Sequence, residues 1–95
     1  MNKKKQTLKT IFDNAFIDYK KRDYKSAENS CYKILSIDPN HFDSFFLLAT
    51  ISAGHSDFKK AKEFLLKSLE IQPKNTSALN NLATTYKGLG MLKEA

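Results

Sequence analysis

Cys31, His41 and His55 are the most reactive side-chain types in this 95-residue chain, and their spacing decides what chemistry they could do. A nucleophilic thiolate needs a base or a positive helix end beside it, whereas Cys31 falls mid-helix and reads as a buried, inert thiol. A zinc site needs three or four ligands in regular spacing, but the histidines lie 14 residues apart in turn-like segments with no companion cysteine or paired acids. The three glycines are scattered, so no phosphate-cradling loop exists, and no serine lies in a G-x-S-x-G elbow. The expectation is therefore no catalytic residue, no cofactor, no metal, and a chain that is not an enzyme.

Composition narrows the class further. With 41% hydrophobic and 27% charged residues, three Gly and two Pro, the chain falls in the ordinary range for one small globular domain. No run of about 18 apolar residues predicts a membrane span. The start, Met1-Asn2-Lys3-Lys4-Lys5, has the basic flank of a signal peptide, but Asp13 and Asp18 interrupt what would be its apolar core. A single cysteine fits a reducing compartment, so the expected location is cytoplasmic. Of the net charge of +6, Lys3, Lys4, Lys5 and Lys9 contribute four; from residue 10 onward twelve bases face ten acids. A nucleic-acid binder carries its excess as a stripe over the folded surface, and none is present. Residues 1–7 read as a basic, solvated tail, with neither nucleic acid nor membrane insertion expected.

The elements that position the remaining side chains emerge when the chain is compared with itself. Ala15, Ala49 and Ala83 recur at a spacing of 34, as do Ala27, Ala61 and Ala95. Tyr24, Phe58 and Leu92, the pair Pro39 and Pro73, and the pair Leu48 and Leu82 keep the same interval. Within a period, Phe45, Leu48, Ala49 and Ser52 fall on one helical face, giving a helix near 42–53. Gly54 suits the helix exit, and Ser56 or Asp57 the cap of a second helix near 58–71, which Pro73 stops at Gln72. The first period repeats the plan with helices near 8–21 and 24–37, and the third offers a helix near 76–88 and the opening of another at Leu92. Alanine at the repeated positions marks close helix crossings, where only a small side chain fits between backbones.

This pattern resembles the tetratricopeptide repeat family. The signature appears as Phe45, Leu48-Ala49, Ala61, Leu65 and Pro73, and again as Leu79, Leu82-Ala83, Tyr86 and Ala95. The nearest flavour is the array of O-linked N-acetylglucosamine transferase-like proteins. The resemblance implies an all-α, right-handed superhelix of about two and a half helix-turn-helix repeats: 8–41, 42–75 and a partial third at 76–95. A helical array normally ends in a polar-faced cap. The chain is accordingly expected to begin a longer array, in preference to self-association through its open C-terminal half-repeat.

The resemblance also implies a function: a non-catalytic scaffold or adaptor whose first helices line a concave groove for a peptide or partner segment. Carried over by position, the groove holds Phe12, Phe16 and Tyr19 in the first unit and Asp43, Phe46, Leu47 and Thr50 in the second. In the third it holds Ser77, Asn80, Asn81, Thr84 and Lys87. Lys9, Asp13 and Ala53 share these faces. For Phe12, Phe16 and Tyr19, spaced i, i+4 and i+7, packing against the neighbouring first helix is the favoured reading and an apolar groove entry the second. Phe46 and Leu47 read as groove, because Phe45 and Leu48 already supply the core side, and Leu47→Asp is then expected to weaken binding with helicity intact. Phe12, Phe16 and Ser77 stand where family members that clamp a carboxylate place lysine, asparagine and further basic residues, so no such clamp is expected. Ala78-Leu79-Asn80-Asn81-Leu82-Ala83 resembles the asparagine-lined grooves of the transferase arrays, but Asp13 and Leu47 occupy the equivalent earlier places. The alternative is the substrate-recruiting N-terminal region of a larger enzyme, such as a glycosyltransferase or sulfotransferase.

Overall fold

The computed structural model describes residues 3–90, with side chains from Thr7 onward. It contains α1 (Lys3–Lys20), α2 (Tyr24–Ile37), α3 (Phe42–Gly54), α4 (Phe58–Ile71) and α5 (Thr76–Gly88) and, among the described residues, no strand. Helix α1 packs on α2, α3 on α4 and α4 on α5, so neighbouring hairpins stack side by side into an elongated body of 48 × 27 × 19 Å. Such an array is an α-solenoid: each hairpin leaves an apolar face that the next one covers.

Local chemistry sets most of the boundaries. Asp23 and Asp57, 34 residues apart, cap α2 and α4 by accepting from the amides of Ser26 and Lys60 at 3.3 and 3.2 Å. Asn75 caps α5 through Ala78 N at 2.9 Å, and His41, one period earlier, caps α3 by accepting from Ser44 N at 3.2 Å on Nδ1. These side chains satisfy amides that the first helical turn leaves unpaired. Helices α2 and α4 stop at Asp38 and Gln72, each followed by a proline that disfavours helical geometry in the residue before it.

Two expectations change. Helix α1 begins at Lys3, not near residue 8: lysine and glutamine are good helix formers and nothing in the segment breaks the helix. The turn inside each hairpin takes its left-handed residue not at Gly54 but two positions on, at Arg22 (φ 67°), Ser56 (φ 62°) and Gly90 (φ 74°), again 34 apart. Only the last is glycine, and a Cβ in this region costs about 1–2 kcal/mol, part of which glycine's larger unfolded-state entropy cancels. Ser56→Gly and Arg22→Gly are each expected to raise stability by about 0.5–1 kcal/mol, checked by urea denaturation midpoints.

The core forms around the central helix α3. Ala15, Ala27, Cys31, Leu47, Leu48 and Ile51 make one buried cluster, and Ala49, Leu65 and Ala78 a second. Alanines 15, 27, 49 and 61 are buried as the close crossings require, but Ala83 is exposed, since within residues 3–90 no helix follows α5. Leu79 on the same helix is 47% exposed for the same reason. The repeat positions at Leu92 and Ala95, and the helix expected to open there, lie outside the described residues. Two buried hydroxyls return to their own helix: Ser68 donates to Phe64 O at 3.0 Å and Thr85 to Asn81 O at 2.8 Å.

Candidate functional site

Helices α1 and α3 lie side by side with an open concavity of about 410 Å³ between them. From α1 come Phe12, Phe16 and Tyr19, spaced i, i+4 and i+7 so that all three lie along one face; from α3 come Asp43, Phe46, Leu47 and Thr50 at the same periodicity. The structure thus brings all seven residues named for the first two units around one space. Each face rises about 10 Å from end to end, enough for three extended residues or two helical turns of a ligand.

These side chains differ in depth. Phe12 and Tyr19 are half-buried against the α1–α3 core, and Phe46 is half-buried against the second cluster. Phe16 stands 42% exposed, held by stacking on Tyr19 at 6.0 Å and by the Lys20 ammonium 4.9 Å from its ring centroid. Leu47 departs from the sequence expectation: it is 5% exposed and belongs to the core cluster, so it forms the floor from below. Helix α3 is packed against α1, α2 and α4, so a position directed away from α4 is still buried by α1. The expectation that Leu47→Asp preserves helicity is corrected accordingly.

In the third unit the named residues are not gathered in the same way. Asn81 and Thr84 line a smaller recess of about 150 Å³ that continues from Thr50 between α3 and α5, where Ala53 also lies. Ser77, Asn80 and Lys87 are exposed on α5 and line none of these spaces.

At the opposite end, beside the helix N-termini, a further open concavity of about 460 Å³ shares Phe12 and Asp43 with the aromatic one. Leu8, Lys9 and Asp13 of α1 line it together with Asp38 and His41 from the α2–α3 connection. Lys9 pairs with Asp13 at 3.0 Å, Asp38 accepts from Asn40 N at 3.1 Å, and the His41 ring lies 5.7 Å from Phe12. Sequence reasoning placed Leu8, Asp38 and His41 in no site. The one available signal was the alignment of His41 with Asn75, which marks it as a helix cap and so fixes its place beside α1.

Among the described residues no group of His, Cys, Asp and Glu could hold a metal ion, and no helix is long and apolar enough to cross a membrane. Cys31 is fully buried, and burial pushes its thiol from an ordinary value of 9.0 to about 12; a hydrogen bond with Ser44 offsets part of this, and Glu28 adds to it. Ser44 Oγ in turn lies 2.8 Å from His41 Nδ1, which places the thiol beneath the α3 cap. The unfolded thiol ionises first, so Cys31 contributes its full stability below about pH 9 and loses it as pH rises toward 12. Each unit in that window costs about 1.4 kcal/mol. The wild type is therefore expected to lose stability more steeply above pH 9 than Cys31→Ala, in paired urea melts at pH 8 to 11, and to resist alkylation until unfolded.

A solenoid of helical hairpins with a concave face of aromatic and polar side chains defines a class of interaction modules. Models of the tetratricopeptide repeat family match residues 42–75 and 64–95, together more than half of the sequence, and the chain belongs to that family. It is 25% identical over 95 residues to UDP-N-acetylglucosamine–peptide N-acetylglucosaminyltransferase of Caenorhabditis elegans, covering all of this chain and 8% of that protein. It is 31% identical over 70 residues to the photosystem I assembly protein Ycf3 of Cyanophora paradoxa, covering 70% of this chain and 40% of that one. The chain therefore spans less than half the length of either relative. In structure it resembles the N-terminal domain of stress-induced protein-1 (STI-1) from C. elegans at a TM-score of 0.86 and 16% identity, covering 98% of this chain and 79% of that domain, a likeness of fold. Membership identifies the chain as a protein–protein interaction module.

Proposed function

We propose that the protein is a non-catalytic scaffold or adaptor that holds a peptide or partner segment in the concave groove between α1 and α3. The observation that carries this reading is the open, aromatic-lined concavity itself: an exposed apolar patch of this kind marks an interaction site, and Phe16 stands in it 42% exposed. A contact this small, met by a flexible ligand, corresponds to about micromolar affinity. The buried, free Cys31 supports a reducing, cytoplasmic setting. For peptides selected by display against the protein, Phe16→Ala is expected to weaken binding about tenfold or more, with far-UV circular dichroism unchanged and the melting temperature lowered by only several degrees. Unchanged affinity for every selected peptide would overturn the groove assignment.

A second reading, that these repeats recruit substrate for a larger enzyme, is supported by the match of the whole chain to a stretch of the nematode transferase. The intact mass of the endogenous protein separates the two: a mass near 10.8 kDa supports the adaptor, and a much larger one the recruiting region.

A further inference from the structure

The aromatic concavity and its neighbour at the helix N-termini share Phe12 and Asp43, so they form one continuous trough, and its charge runs against that of the chain. The whole chain carries +6, yet the trough lining holds three carboxylates, Asp13, Asp38 and Asp43, against one ammonium, Lys9. Lys9 is engaged with Asp13, and Asp38 holds a backbone amide. Among the described residues the Asp43 carboxylate has no side-chain hydrogen-bond or ion-pair partner, although it stands where the two concavities meet. Beyond the other end of the aromatic groove Lys20, which does not line it, lies over the Phe16 ring. The trough therefore has an acidic end and an aromatic middle, with a single lysine standing beside its far end.

Resting on the groove reading above, we propose that the occupant is a segment of a partner protein that pairs an apolar or aromatic anchor with a lysine or arginine within about one helical turn. The anchor fills the space between Phe12, Phe16 and Phe46, and the cation lies against Asp43 with Asp13 and Asp38 nearby. Charge complementarity carries this choice, because Asp43 is a partnerless anion beside an apolar groove, and opposite charge across an interface gives specificity and register. Lys20 sets the direction by repelling a ligand cation placed at the far end. Asp43 also lies in the first turn of α3, where a carboxylate favours the helix dipole, so stability is followed alongside binding.

The test uses three labelled 12-residue peptides: one with two phenylalanines and three lysines, one with each lysine replaced by glutamate, and one with each phenylalanine replaced by serine. Fluorescence anisotropy in low salt is expected to give the lysine–phenylalanine peptide at least tenfold tighter binding than the glutamate peptide, and no measurable binding of the serine peptide. The net charge of +6 alone predicts the opposite order. Asp43→Asn is expected to remove most of the preference, and Asp43→Lys to reverse it, with Asp43→Asn deciding the outcome if the lysine variant melts early. Equal binding of the lysine and glutamate peptides, still lost in Phe16→Ala, overturns the cation inference and leaves the groove reading intact. Binding untouched by Phe16→Ala overturns both. A dimer that disperses in Phe16→Ala would show a second copy filling the trough, and would likewise overturn the proposal.

Discussion

Replacing Leu47 by aspartate is expected to unfold the protein. The side chain is 5% exposed, in a cluster with Ala15, Ala27, Cys31, Leu48 and Ile51, where the only polar group is the weakly donating Cys31 thiol, already bonded with Ser44, and nothing neutralises a carboxylate. An unpaired charge buried in such a place costs about 4 kcal/mol or more once the lost leucine packing is added. A domain of this size has about 5–14 kcal/mol in total, so a loss of that size or more leaves the protein unfolded or close to it toward the lower end of that range. Far-UV circular dichroism and urea melts will show it: helicity lost at 37 °C, or a midpoint near zero denaturant. Phe16→Asp, on a side chain already 42% in water, is expected to cost about 1–2 kcal/mol through its lost ring contacts and to leave the protein folded. The same substitution on two faces of one groove thus separates floor from wall.

The second large effect contrasts two alanines 34 residues apart. Ala49 is 2% exposed and belongs to the cluster with Leu65 and Ala78, where α3 is crossed closely by its neighbours. Ala49→Leu forces three further carbons into a close helix crossing, where the small recess lined by Thr50, Asn81 and Thr84 offers the available room, and is expected to cost about 1–3 kcal/mol. Ala83 holds the same place in the repeat but is exposed on α5, and Ala83→Leu is expected to fall within about 0.5 kcal/mol of wild type. Both follow from denaturant midpoints of the two variants side by side. Equal losses would show that a helix following α5 covers Ala83 in solution.

How legible this was in the sequence depends on whether the deciding chemistry is local. Helices 24–37, 58–71 and 76–88 could be read because Asp23, Asp57 and Asn75 cap them within three residues and Pro39 and Pro73 stop two of them. The start of α1 could not, since Lys3, Lys4 and Lys5 form helix and solvated tail equally well on composition. The left-handed turn position was hidden because the period puts Arg and Ser where only the third unit has Gly, while Gly54 nearby offered a false lead. The gathering of Phe12, Phe16, Tyr19, Phe46 and Thr50 followed from helical periodicity plus family resemblance. The depth of Leu47 and the addition of Asp38 and His41 to the trough did not, because both arise from how α1 lies against α3 and against the connection before it.

The α1–α3 trough is the surface expected to bind the partner segment. Among the described residues the competing exposed apolar side chains are Ile17 on the other side of α1, Tyr32 and Ile37 on α2, Leu66 on α4 and Leu79 on α5, each exposed to a similar degree as Phe16. The most direct measurement is the set of amide and side-chain shifts in ¹H–¹⁵N and ¹H–¹³C spectra of the protein titrated with a display-selected peptide. Shifts concentrated at Phe12, Phe16, Asp43, Phe46 and Thr50, with Tyr32, Leu66 and Leu79 unmoved, are the predicted result. Shifts concentrated at Tyr32, Leu66 or Leu79, with the trough residues silent, would contradict it.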